Sequence, residues 1–124
     1  MERTRLYYDI LEFVNSHLKP SFPAILGRAP VEVSKDVLMP QIMVSFGVLQ
    51  DNRILVTFHV STDEDKEEEL KIMTDKLTQL IENESSISKY AMYDYGRTRV
   101  LHPVVDGRPF IQKLCHFAAR PKLT

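Results

Sequence analysis

The sequence predicts an α+β domain spanning residues 1–124, with two helices packed on a mostly antiparallel sheet in the order α-β-β-α-β-β. Apolar residues recur at helical spacing in two stretches, near residues 4–18 and 70–81, and alternate with period two near residues 41–60 and 110–119. The strand pair within 41–60 also carries apolar residues on both of its faces. A domain of this size covers one sheet face with helices, so a second apolar face points to a partner subunit.

A chain of 124 residues can build one core that removes roughly two-thirds of its unfolded surface from water. Its hydrophobic content of 44% and charged content of 27% are those of a globular protein, and no run approaches the ~18 apolar residues of a membrane span. Met1-Glu2-Arg3-Thr4 opens directly into a helical pattern with no apolar leader, so a soluble protein made and kept in a cytoplasm is expected. The single cysteine, Cys115, leaves no internal disulfide and reads as a structural thiol in a strand. The net charge of −1 hides an asymmetry: residues 61–84 hold nine acids and three bases, residues 96–124 six bases and one acid. Such a split suits two solvated surfaces or a head-to-tail contact between subunits.

Leu6, Tyr7, Ile10, Leu11, Phe13, Val14 and Leu18 form the buried stripe of a first helix from about Thr4 to Leu18, which Lys19-Pro20 ends. Four prolines and Gly27 within residues 20–40 predict a connector with a short extended piece near Pro30–Val33. Gln41–Leu49 and Ile54–Val60 flank the polar turn Gln50-Asp51-Asn52-Arg53 as a hairpin. Ile42, Val44, Phe46, Val48, Ile54, Val56, Phe58 and Val60 make its helix-facing side, while Met43, Leu49 and Leu55 lie on the other among Ser45, Thr57 and His59. Ser61-Thr62 ahead of Asp63, Glu64 and Asp65 predicts a capped, acid-started second helix, with Leu70, Met73, Leu77, Leu80 and Ile81 as its stripe and an end near Asn83 to Ser86. Tyr90–Tyr95 reads as a short aromatic strand. Residues 96–109, broken by Pro103 and Pro109 but with a turn signal at Asp106-Gly107, read as a long loop or an irregular edge hairpin. Phe110–Ala119 is the last strand, before a basic tail.

Catalytic signatures are missing. His17, His59, His102, His116 and Cys115 lie at no metal-ligand spacing, no GxSxG elbow frames a serine, and no glycine-rich phosphate cradle occurs. No catalytic, cofactor-binding or metal-ligating residue is therefore assigned, and no enzymatic activity is predicted. The acids of residues 63–69 fit a helix start and a solvated face. Arg97, Arg99 and Arg108, with Tyr90, Tyr93 and Tyr95 upstream, have the basic and aromatic mixture used on single-stranded nucleic acid, but alternating tyrosines more often pack cores and interfaces, and a pI of about 6.4 is low for a dedicated nucleic-acid binder.

The order of elements resembles the tail terminator proteins of long-tailed bacteriophages, the minor tail protein U family. The likeness runs through Thr4–Leu18, the cluster Leu26-Gly27-Arg28-Ala29-Pro30-Val31-Glu32-Val33, and Met39-Pro40-Gln41-Ile42-Met43-Val44-Ser45-Phe46. It continues through Ile54–Val60, the second helix, Ala91-Met92-Tyr93-Asp94-Tyr95 and a last strand with an aromatic at Phe117. The hairpin here is tighter than in family members with a longer inter-strand loop.

The resemblance implies a tail-terminator-like fold and a virion structural protein at the head-proximal end of the tail, the neck, assembled in the host cytoplasm. It implies a homohexameric ring that caps the tail tube, stops tube polymerisation and meets the head-tail connector or stopper protein, with DNA crossing the lumen without sequence-specific binding and no membrane involved. Candidate interface residues are Met43, Leu49 and Leu55 on the semi-apolar face and Arg97, Arg99 and Arg108 toward an acidic neighbour or the tube. The alternatives are another neck or head-completion protein, and a small ligand-binding or enzymatic domain with a pocket between the sheet and loop 96–109.

Overall fold

The computed structural model describes residues 2–18, 25–28, 40–83, 86–87, 90–96 and 98–121. Helix α1 covers Glu2–Leu18 and strand β1 Ile25–Arg28. Strands β2 (Gln41–Val48) and β3 (Ile54–Asp63) form the hairpin, and a 3-10 turn at Glu64–Lys66 leads into α2, Glu67–Asn83. Four short strands follow: β4 (Ser86–Ile87), β5 (Tyr90–Asp94), β6 (Arg99–Leu101) and β7 (Val104–Val105). The long β8, Arg108–Pro121, ends the described chain.

The strands lie in the order β1-β2-β3-β8-β5-β4, with β6 and β7 also on β8. Every described pairing is antiparallel except β1 with β2. An α+β domain with two helices on a mostly antiparallel sheet is therefore present, but the linear order α-β-β-α-β-β needs correction by four strands of two to four residues. Such lengths are too short to display an alternation. The extended piece in the connector is Ile25–Arg28, and Pro30–Val33 falls outside the described residues.

One face of the sheet packs on both helices. Leu6, Ile10 and Val14 of α1 and Leu70, Met73, Leu77 and Ile81 of α2 are buried against Ile42, Val44, Val56, Phe58, Cys115 and Phe117. Each such apolar side chain contributes about 1.5–3 kcal/mol on burial. Phe58 and Phe117 meet edge to face across β3 and β8, ring centroids 5.6 Å apart. Helix α2 lies over the central strands β3, β8 and β5, while α1 comes near β1 and β4, the two outermost strands, so the sheet curls around the helix pair. Val48, expected on the packed face, is 67% exposed, although Ile54 opposite it on β3 is buried; it lies on the stretch of β2 that β1 does not flank.

The start of α2 differs from the sequence expectation. Ser61, Thr62 and Asp63 continue β3, paired with Gln112, Ile111 and Phe110 of β8. Asp63 has the extended backbone of an N-cap, but its side chain makes no capping bond. It accepts from Arg108 instead, with Nε at 3.1 Å and Nη2 at 2.7 Å from the same carboxylate oxygen. A guanidinium delivers two charge-assisted bonds, which outcompete one backbone N–H.

The β2–β3 and β7–β8 turns use left-handed residues. Asp51 and Asn52 take φ of 63° and 61°, Asp106 and Gly107 take 51° and 81°. These side chains tolerate the mirror-image region that a tight turn between right-twisted strands requires.

Candidate functional site

The sheet face away from the helices is the candidate site, and the strand register sets out its residues in rows. Crossing β2, β3, β8 and the β5–β6 edge, Gly47, Leu55, Ala118 and Tyr93 form one row, and Ser45, Thr57, His116 and Tyr95 the next. Met43, His59, Leu114 and Arg99 follow, then Gln41, Ser61, Gln112 and Leu101.

The centre of this face is polar and mostly self-satisfied. Ser45 Oγ lies 2.7 Å from His59 Nε2, Thr57 Oγ1 2.9 Å from His116 Nδ1, and Gln112 Nε2 donates to Ser61 Oγ at 2.9 Å. Burial, reinforced by the neighbouring His116, holds His59 below its usual range, so the neutral ring is favoured. Gln41 is buried, and its Oε1 has no hydrogen-bond partner among the described residues.

Tyr95 and the residues after it shape the margin. The N–H of Tyr95 donates to His116 O at 3.0 Å, after which the chain leaves β8 and rejoins it at Arg99 opposite Leu114. Gly96 turns the bulge at φ 112°, and its N–H donates to Asp94 Oδ1 at 3.1 Å. The bulge leaves an open groove of about 850 Å³ lined by Leu55, Tyr95, Gly96, Thr98, Arg99 and His116. At its rim Arg53 donates from Nε to Gln50 O (3.2 Å) and from Nη1 to Tyr93 Oη (3.2 Å), with its guanidinium 5.7 Å from the Tyr95 ring centre. The Tyr93 hydrogen bond keeps that guanidinium even more firmly protonated.

Of the candidate interface residues, Met43 and Leu55 lie half-buried on this face, and Arg99 lines the groove beside Leu55. Leu49 sits beyond β2 in the turn, its N–H donating to Arg53 O at 2.9 Å. Arg108 is distant from them along β8, paired with Asp63 and stacked over Phe110 at 4.7 Å, so it is engaged within the chain. Arg97 falls outside the described residues. Arg53 has no functional part in the sequence reading, Tyr93 and Tyr95 enter it only within the basic and aromatic mixture, and His116 only as a metal ligand set aside. The one sequence signal for their meeting was the shared parity of Tyr93 and Tyr95, because Arg53 reaches them only across two intervening strand pairings.

No protein-family model matches the chain. No curated protein shows a significant match to it. Among the described residues no three His, Cys, Asp or Glu side chains converge as a metal-ligand set, and no helix is long and apolar enough to cross a membrane.

Proposed function

We propose that this chain is a ring-forming structural subunit of a long-tailed phage neck, a tail terminator that caps the tail tube, halts its growth and offers a surface to the head-tail connector. The observation that carries the assembly half of this reading is the outer sheet face. It presents Met43, Leu55 and Leu114 half-buried around polar groups that are largely paired with one another, and neither helix packs on it. A neighbour can cover such a face without stranding its donors and acceptors. The phage context comes from the sequence resemblance alone. On this reading the partners are further copies of the chain in a homohexameric ring, the tail tube protein and the connector, and DNA crosses the lumen unread.

The test is the mass of the purified protein by light scattering, alone and with tail tubes. A ring in solution, or a monomer that forms one on tube ends, supports termination. A monomer at every concentration that ignores tubes removes the reading. The groove at the β5–β6 bulge favours a second reading, a small ligand-binding domain, because Arg99, Thr98 and His116 converge there beside Tyr95 and Leu55. A small-molecule thermal shift that Arg99→Ala abolishes would distinguish it.

A further inference from the structure

We infer that the groove at the β5–β6 bulge receives the acidic start of α2 from a second copy of this chain, in a head-to-tail contact. The inference rests on the ring reading above and names the surfaces that would close the ring.

The groove runs from the start of β3 to its middle, where Arg99 shares the row of His59, and the acids lie beyond the end of that strand. Arg53 precedes its first residue, Ile54, and the exposed acids Glu64, Asp65, Glu67 and Glu68 follow its last, Asp63. At about 3.4 Å per residue the ten-residue strand separates Arg53 from the acids by roughly 30 Å and the row of Arg99 from Glu64 by roughly 17 Å, and among the described residues neither arginine pairs with them within one copy. A contact between different patches on identical copies repeats at every subunit, which is the geometry of rings.

Each surface has charge to offer. Arg53 is held by Gln50, Tyr93 and Tyr95, so its remaining N–H groups are positioned before any partner arrives. Asp51 acts on Arg53 electrostatically, yet among the described residues no carboxylate lies within ion-pair distance of Arg53 or Arg99. At the other end the described ion pairs are Lys66 with Glu69 and Arg108 with Asp63, which leaves Glu64, Asp65, Glu67 and Glu68 for a neighbour. The Arg53 guanidinium beside the Tyr95 ring, with Arg99 lining the same groove, makes a face that suits carboxylates.

Two reversed proteins test the contact. Arg53→Glu/Arg99→Glu carries an acidic groove and Glu64→Lys/Asp65→Lys/Glu68→Lys a basic helix start. Each alone should stay monomeric at concentrations at least tenfold above those at which the wild type assembles, by light scattering or on tube ends. An equimolar mixture should recover the wild-type mass, because alternating copies then place opposite charges at every contact. Circular dichroism checks that each variant folds. If a reversal unfolds the chain, Arg53→Gln/Arg99→Gln and Glu64→Gln/Glu68→Gln replace it, each expected to weaken assembly at least tenfold. Variants that assemble like the wild type, or a folded mixture that stays monomeric, overturn the contact and leave the ring reading standing. A wild-type protein that never assembles, with or without tubes, overturns both.

Discussion

Replacing Asp63 by Asn separates the role that the sequence suggests for this carboxylate, at the start of α2, from the one that the structure shows, as the acceptor for Arg108. Asn caps a helix about as well as Asp, so the substitution is nearly neutral if Asp63 serves the start of α2. It is costly if the carboxylate holds Arg108. Hydrogen bonds to charged groups contribute about 1.5–3 kcal/mol. Both side chains remain 33% exposed, and solvent screening lowers the expectation for Asp63→Asn to about 1–1.5 kcal/mol. Arg108→Gln should cost about 0.5 kcal/mol more, because it also removes the guanidinium from the Phe110 ring, 4.7 Å away. The double variant should cost little more than Arg108→Gln, giving a coupling of about 1 kcal/mol. In a domain of this size about 1 kcal/mol moves the melting temperature by about 3–5 °C. Urea unfolding at neutral pH, with the denaturant dependence unchanged among the four proteins, reads these values, and added salt should shrink the coupling. A neutral Asp63→Asn, or costs that simply add, would refute the assignment.

Gly96→Ala should lose about 1–2 kcal/mol in the same assay, because φ of 112° strains any side chain although nothing lies within 4 Å of the added Cβ; a neutral substitution would mean that the bulge is not built as described. His59 has its folded pKa depressed below 6.5, so the unfolded chain takes up that proton first and stability, full above about pH 6.5, falls as the pH drops below it. His59→Gln should flatten this acid limb of a melting-temperature profile, and an unchanged limb would assign it to other groups. The Cys115 thiol, pushed up to about 11 chiefly by burial, should resist alkylation in mildly alkaline buffer and react once the chain is unfolded; fast native labelling would contradict its place in the core.

The class of the fold was legible because two periodicities hold over long stretches. The apolar core residues of α2 and of the β2–β3 hairpin are among those that the spacing selects, but of the residues it selects Val48 is exposed and Phe46 and Leu80 only half-buried, and Thr74 is buried without being selected. What sequence missed was short or depended on pairing. Ser61-Thr62-Asp63 has a capping composition, and only the ladder to Gln112, Ile111 and Phe110 makes it strand. Residues 96–109 read as a loop or an irregular edge hairpin and form the latter, with β6 and β7 laid along β8 and Asp106-Gly107 turning between Val105 and Arg108. Arg108 stands out by its charge as a partner-binding cation, and within the chain it pairs with Asp63, 45 residues earlier, which no local pattern could show. The groove shares this origin: Leu55, Tyr95 and His116 come from three strands that local pattern cannot place side by side.

The dimensions of the outer face explain why charge at its two ends matters to the proposed assembly. Four strands about 4.8 Å apart span about 19 Å, and four rows spaced by about 6.8 Å cover roughly 27 Å, so the flat face offers on the order of 500 Å². A stable interface takes about 800 Å² from each partner. The central rows also hold paired polar groups, Ser45 with His59, Thr57 with His116 and Gln112 with Ser61, which gain little from being covered. Sheet stacking alone therefore falls short, and the shortfall must come from surface at the ends or edge of the face. The edge offers Val100, 50% exposed, with Arg99 next to it on β6, and Val104, 66% exposed, while the ends offer Arg53 and the first acids of α2. Contacts built on exposed charge weaken as salt screens them, whereas apolar contacts do not. Assembly that dissolves in salt would locate the missing area at the two ends of β3, and assembly indifferent to salt would move it to the valine-bearing edge.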